Sequence, residues 1–364
     1  MFSNANARQA DMCRFCWMCR HICPVAGATG SEGWGPRARG LMVSMIERGT
    51  PYDAEIADAM YHCTMCDACA NDCVTGWKPT DFIREARMLA VVNEIAPPRI
   101  TKEIENIVSC GNIYGEEEDP SFLRELAGLP EQSEVLLYIG QTGRTRGAST
   151  AISFMHLLKK AGISFTVLKK EPPTGAFLMD LMGLTGDVQN TAAAAAEEIK
   201  ASGAKTVVAL SPYDAVMLRN TSAEWNLLDG INVVSAPAFI ADAFKSNAIK
   251  AKKIDLTASV QEPVKLTRGL GEEEPINQII KELGIHYLPL FLHGKMARCI
   301  GTPIMDLFDP DVTRHMVEVR CDDAKRIDSP AIIACSPDDY TIMKKYASEG
   351  IEIIDLFALL DGNC

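Results

Sequence analysis

The sequence predicts an α+β multidomain chain: a helical, cysteine-rich N-terminal unit followed by two homologous α/β lobes built on parallel sheets. Three observations carry this prediction. Eight of the thirteen cysteines fall between residues 13 and 73. From residue 134 onward, short runs rich in β-branched residues alternate with helix-length segments, the pattern of βαβ units and a parallel sheet. A stretch of the second segment recurs in the third, which marks an internal repeat. The expected boundaries are residues 1–115 for the helical unit, 130–245 for the first lobe and 246–364 for the second.

The eight cysteines form two copies of one pattern, Cys13-x2-Cys16-x2-Cys19-x3-Cys23-Pro24 and Cys63-x2-Cys66-x2-Cys69-x3-Cys73. This is the ligand run of a ferredoxin that holds two [4Fe–4S] clusters, so the first unit reads as an α-helical ferredoxin-like dicluster domain. Three thiols stepping by three along a tight turn converge on one small volume, and the fourth must come from elsewhere. In two-cluster ferredoxins the last cysteine of each run ligates the other cluster. The expected sets are therefore Cys13, Cys16, Cys19 and Cys73 for cluster 1, and Cys63, Cys66, Cys69 and Cys23 for cluster 2. Zinc sites close at four ligands and do not require two such runs. A disulfide scaffold is disfavoured by chain length and by the absence of an apolar stretch in Met1–Met12, so the expected setting is reducing and cytoplasmic.

Taken in order, Pro36 can start a helix carrying Arg37, Leu41, Met42, Met45 and Ile46 at helical spacing, stopped by Gly49-Thr50-Pro51. Asp53 can cap a helix over residues 54–61. Thr80 can cap another that bears Phe82, Ile83, Ala86, Leu89 and Ala90. The first lobe then reads as a strand over 134–139, a helix over 149–161, a strand over 164–168, a helix through the alanine run to residue 201, and a strand over 206–210. In the repeat, Thr206-Val-Val-Ala-Leu-Ser211-Pro212 matches Ala331-Ile-Ile-Ala-Cys-Ser336-Pro337. Each copy continues into an apolar strand, from Gly230 or Gly350, and a last helix at residues 238–244 or 357–360.

At 364 residues, 47% hydrophobic and 23% charged, the chain can bury more than one core and shows no apolar run long enough to span a bilayer. Its net charge of −12 argues against a nucleic-acid or anionic-lipid surface and suits a basic patch on a protein partner. The runs Glu116–Asp119 and Glu272–Glu274 read as solvated loops. Gly140–Gly147, with Arg144 and Arg146, sits between strand and helix, where backbone N–H groups could cradle an anion. It matches neither a Walker loop nor a dinucleotide fingerprint, so a plain loop or a partner contact is the default. Cys335 stands at the repeat position of Leu210 and reads as a small buried hydrophobe. Cys110, Cys321 and Cys364 are isolated.

Several segments carry a resemblance. Gly35-Pro36-Arg37-Ala38-Arg39-Gly40 follows the first run, Cys69-Ala-Asn-Asp-Cys73 precedes Asp81-Phe-Ile-Arg-Glu-Ala-Arg87, and Gly111-Asn-Ile-Tyr-Gly115 forms a turn. With the two lobes, they resemble the iron–sulfur subunits of the glycolate oxidase, lactate-utilisation, anaerobic glycerol-3-phosphate dehydrogenase and heterodisulfide reductase group. Val74 departs from that pattern where the first run has Pro24, without changing the ligand count. The family's lobes each carry a Cys-Cys-Gly motif with partner cysteines, and here those positions are stripped. Gln141, Thr174, Ser211 and Asp214 stand in the first lobe, and Ser336 and Asp339 in the second. Cys299-Ile300-Gly301 keeps one thiol, the only isolated cysteine retained as a functional candidate.

With no flavin fingerprint, zinc triad or nucleophile constellation, no catalytic residue is assigned. The resemblance implies an electron-transfer subunit that relays single electrons through two [4Fe–4S] clusters. Its partners would be a flavoprotein dehydrogenase or reductase holding FAD or FMN, and an external carrier such as a quinone, a ferredoxin or an electron-transfer flavoprotein. A catalytic heterodisulfide or quinone reductase, and a scaffold with structural clusters, are the alternatives. Arg14, Arg20 and His21 would raise the first cluster's potential relative to the second, whose run carries Asp67 and Asp72. Phe15 and Trp17 would shield a cluster from water, and the lobes would dock the flavoprotein.

Overall fold

The computed structural model describes residues 2–364. Its N-terminal unit is helical, as composition and capping dictate. Pro36 starts the Pro36–Glu47 helix, and the Asp53 carboxylate accepts from the Ile56 N–H at the head of Ala54–Tyr61. The third helix runs Pro79–Val92 with Lys78 at its N-cap. Thr80 is therefore no cap: its hydroxyl donates to Asp67 in the second cysteine run, and Pro79 supplies the start signal instead. The Pro36–Glu47 helix turns Val43 inward and leaves Leu41 and Met45 in solvent. Its Gly40 lies against Trp77, where a Cβ would come within 2.6 Å of Cζ2, so only glycine permits this crossing.

Each lobe holds a four-stranded parallel sheet. The first comprises β1 (Val135–Tyr138), β2 (Thr166–Val167), β3 (Thr206–Ala209) and β4 (Asn232–Ser235), ordered β2-β1-β3-β4. The second comprises β5 (Thr257–Gln261), β6 (His286–Tyr287), β7 (Ala331–Ala334) and β8 (Glu352–Asp355), ordered β6-β5-β7-β8. The register repeats too: Thr206 pairs Asn232 where Ala331 pairs Glu352. Ser235 and Asp355 cap the final helix of each lobe, Ala236–Lys245 and Leu356–Asn363. The expected strand over 164–168 shortens to two residues at the sheet edge.

The lobes share one core. Helix Ala148–Lys160 of the first packs on Leu356–Asn363 of the second, with the Phe154 and Phe357 rings edge-to-face at 4.9 Å. The reciprocal pair is Ala236–Lys245 on Glu274–Leu283. A second apolar cluster carries Val25, Ala26, Tyr61 and Ile100 of the N-terminal unit onto Phe177, Leu181, Ile304 and Met316 of the lobes. Among the described residues, no helix is long and apolar enough to cross a membrane.

Two expected loops turn out to be packed. Gly140–Arg144 forms a short buried helix, and its Arg144 is already held by Glu118, Glu171 and the Leu168 and Lys169 carbonyls, while Arg146 pairs with Glu116. The candidate anion cradle has its cations occupied by those acids, so the run Glu116–Asp119 is structural rather than merely solvated. Asp119 caps Pro120–Glu125. Glu272 is likewise buried, pairing with Arg219 and accepting from Ser235.

Candidate metal centre

Both cysteine runs fold the same way. Phe15 and Trp17, flanking Cys16, adopt left-handed backbone with φ of 55° and 70°, and Met65 and Asp67, flanking Cys66, do the same at 51° and 58°. Residues with side chains avoid this region, at a cost of roughly 1–3 kcal/mol each where strain persists. Its recurrence at matched positions marks a loop bent to turn its thiols toward one volume. In each copy a backbone N–H reaches the first sulfur of the run: Phe15 N to Cys13 Sγ and Met65 N to Cys63 Sγ, both at 3.4 Å. The third cysteine of each run then sits on a short helix, Met18–Ile22 or Ala68–Asp72.

Cys63, Cys66 and Cys69 line one cavity together with Cys23, the last cysteine of the other run. Pro24, Pro36, Arg39, Asp67 and Ile83 are among the other residues of its walls. Among the described residues no three His, Cys, Asp or Glu side chains close to the spacing of a single-ion site; these thiols stand around a cavity instead. Cys13, Cys16 and Cys19 lie nearer the surface. Cys13, Cys19 and Cys73 are half-buried, and all three border the apolar cluster around Val43, Trp77 and Phe82. The Cys73 Sγ lies 3.2 Å from the Thr75 hydroxyl.

The electrostatics suit a positively charged occupant. Burial and then the neighbouring Cys13, Cys23 and Cys16 push the Cys19 thiol up to about 12, and burial pushes Cys23 up to about 11. Cys69 is also raised, by burial and then by Cys63, Cys66 and Cys23. Thiolates crowded this closely repel one another unless iron supplies compensating charge, so the donor set fits a cluster that binds as the protons leave.

The two sites differ in exposure. Residues 14–18 of the first run all face solvent, whereas Thr64, Met65 and Cys66 of the second are buried beneath the second lobe. Arg268 Nε donates to the Cys66 carbonyl, and Lys265 Nζ to the Met65 carbonyl. Arg87 Nη2 donates to the Cys63 carbonyl. These three cations and Arg39 come from outside the runs; Arg39 and Arg87 lie in the segments that carry the resemblance, whereas no local signal announces Lys265 and Arg268. They also remove the basis for ordering the potentials from residues within the runs. Arg20, moreover, is paired with Glu32 at 2.8 Å.

Cys299 proves to be placed at the second site. It packs with Cys66, Ile22 and Ala297, and its Sγ donates to the Gly301 carbonyl at 3.2 Å. The neighbouring Cys299 thiol, and after it the Arg268 guanidinium, draw the Cys66 thiol below its ordinary range despite burial. The signal lay in the sequence: this is the one thiol kept from a Cys-Cys-Gly motif. Cys335 is buried in the shared lobe core that also holds Leu210, its counterpart in the repeat.

Ser211, one of the positions stripped of cysteine, bonds across the junction of the lobes. Asp338 of the second lobe accepts from Thr142 Oγ1 at 2.5 Å and from Ser211 Oγ at 2.8 Å, both of the first. Thr174 donates to Asp214, and the Ile139 and Gly140 N–H groups donate to Glu171. Burial pushes Asp214 up to about 8. Hydroxyl–carboxyl bonds thus link the lobes at Asp338 and brace the first lobe at Asp214.

A family of 4Fe-4S dicluster domains matches residues 9–77, the stretch that holds both runs. The chain is an iron–sulfur protein. Its likeness extends beyond that domain to a protein of Chromohalobacter salexigens named "Probable membrane-anchored ferredoxin", 22% identical over 347 residues. That match takes in 82% of this chain and 51% of the other, so this iron–sulfur protein spans about half the length of its relative. Among solved structures, glutamate racemase from Francisella tularensis superposes with a TM-score of 0.31 at 11% identity, over 64% of this chain and 80% of that one. Aspartate racemase from Picrophilus torridus gives 0.29 at 10% identity, over 63% and 94%. Both scores are too low to bear on function.

Proposed function

We propose that this iron–sulfur protein is the electron-transfer subunit of a flavoprotein oxidoreductase. It would hold one [4Fe–4S] cluster on Cys13, Cys16, Cys19 and Cys73 and a second on Cys63, Cys66, Cys69 and Cys23. When bound, the clusters supply one-electron storage between the flavin of a partner dehydrogenase or reductase and an external carrier: a quinone, a ferredoxin or an electron-transfer flavoprotein. The observation that carries this reading is the cavity shared by Cys23 and the second run. The ferredoxin-like relative supports electron transfer as the task. The chain's own residues set the site: Arg39, Arg87, Lys265 and Arg268 place positive charge around the second run, and the lobe covers it from water.

Iron and acid-labile sulfide per chain test the reading on anaerobically purified protein, with electron paramagnetic resonance (EPR) after dithionite reduction. About eight of each with spin-coupled signals is the expected result for two cubanes. A count near twelve would place a third cluster in the lobes and favour a catalytic reductase. Four or fewer in freshly reconstituted protein would break the two-cluster assignment.

A further inference from the structure

The first cysteine run lies under a continuous exposed face. Phe15 and Trp17 are 53% and 47% exposed, Met18 follows, and Cys16 between them is open to solvent. The Arg37 guanidinium lies 3.8 Å from the Trp17 ring centroid and 5.8 Å from that of Phe15. Leu41 and Met45 stand one and two turns further along the same helix face, 48% and 44% exposed. Apolar side chains gathered into one patch mark an interaction surface more often than scattered ones do. The surroundings carry a cationic surplus: Arg14 is exposed, Arg20 and Arg37 share the single carboxylate of Glu32, and Arg48 pairs with Asp11, within a chain of net charge −12. The second run offers no such access, being covered by the second lobe.

We propose that the face of Phe15, Trp17, Met18, Leu41 and Met45 docks the acidic surface of a redox protein, which exchanges one electron at the Cys16 site. The inference rests on the two-cluster reading above and deepens it by naming where a partner binds and with what charge. An apolar centre with a cationic rim fits a small, transient electron-transfer interface whose encounter is steered by opposite charge. The transfer balances as one electron leaving the reduced protein and one entering the acceptor, with no bond made or broken.

Rubredoxin, a small acidic one-electron acceptor, is the probe. Reduced holoprotein is mixed with oxidised rubredoxin in a stopped-flow instrument at increasing salt, with benzoquinone as an uncharged small oxidant for comparison. The rate with rubredoxin is expected to fall as salt rises, although the net charge alone would repel an acidic protein. The double variant Leu41→Glu/Met45→Glu should slow it by about tenfold through lost steering and contact, with EPR spectra and the benzoquinone rate unchanged. Val92→Glu/Val108→Glu, which makes the same charge change on other exposed apolar sites, should leave the rubredoxin rate as in wild type. A rate that rises with salt, or equal slowing by both double variants, or no slowing by the first, overturns the docking face. A wild-type holoprotein lacking cluster signals overturns instead the reading beneath it.

Discussion

At the scale of single residues, burial decides what a side chain does. Glu103 is 3% exposed, neither carboxylate oxygen has a hydrogen-bond partner, and burial pushes it up to about 9, with Arg87 acting weakly against the shift. The folded protein therefore keeps a proton that the unfolded chain has released above its ordinary 4.5. Because the folded state then binds more protons, stability must fall as pH rises from about 4.5 toward about 9. Glu103→Gln removes that linkage. The expected outcome is a variant whose urea midpoint declines less steeply over this window than that of wild type, in which Asp214 contributes a fall of its own, and equal slopes would show that Glu103 titrates normally. Chemical identity alone did not give this away: Glu103 looks like any exposed helix glutamate until the lobes close over it.

At the scale of elements, the repeat was legible because strands, Ser-Pro turns and caps recur in order. The identical Ser-Pro pairs nevertheless do different work. Ser336 caps its helix by accepting from the Asp339 N–H, whereas Ser211 donates across the lobe junction to Asp338. Periodicity located the apolar faces but could not name their partners, so the cross-packing of Ala148–Lys160 on Leu356–Asn363 was invisible. That pairing predicts a shared cost. Phe154→Ala or Phe357→Ala should each destabilise by about 3–5 kcal/mol through lost burial and a residual cavity. Because the rings touch, the double variant should lose less than the sum of the two, and strictly additive denaturant midpoints would contradict the shared core.

At the scale of the whole molecule, the ferredoxin-like unit and the lobes are tied through the second cysteine run. Asp180 of the first lobe accepts from Lys265 of the second at 2.8 Å, and its carbonyl accepts from Arg87 of the N-terminal unit. Lys265 and Arg87 also hold the Met65 and Cys63 carbonyls. The two cysteine runs were legible as one pattern at fixed spacing, and they fold alike. Their unequal exposure was not, because it is imposed by residues some two hundred positions away. The same cover accounts for the patch left open at the first run.

The central claim is that the runs exchange their last cysteines, and alanine variants compared by EPR test it most directly. Cys23→Ala should lose the same signal as Cys66→Ala and keep the one that Cys16→Ala abolishes, and Cys73→Ala should pair with Cys16→Ala. A Cys23→Ala spectrum matching that of Cys16→Ala would mean that each run closes on its own cluster, and would contradict the account.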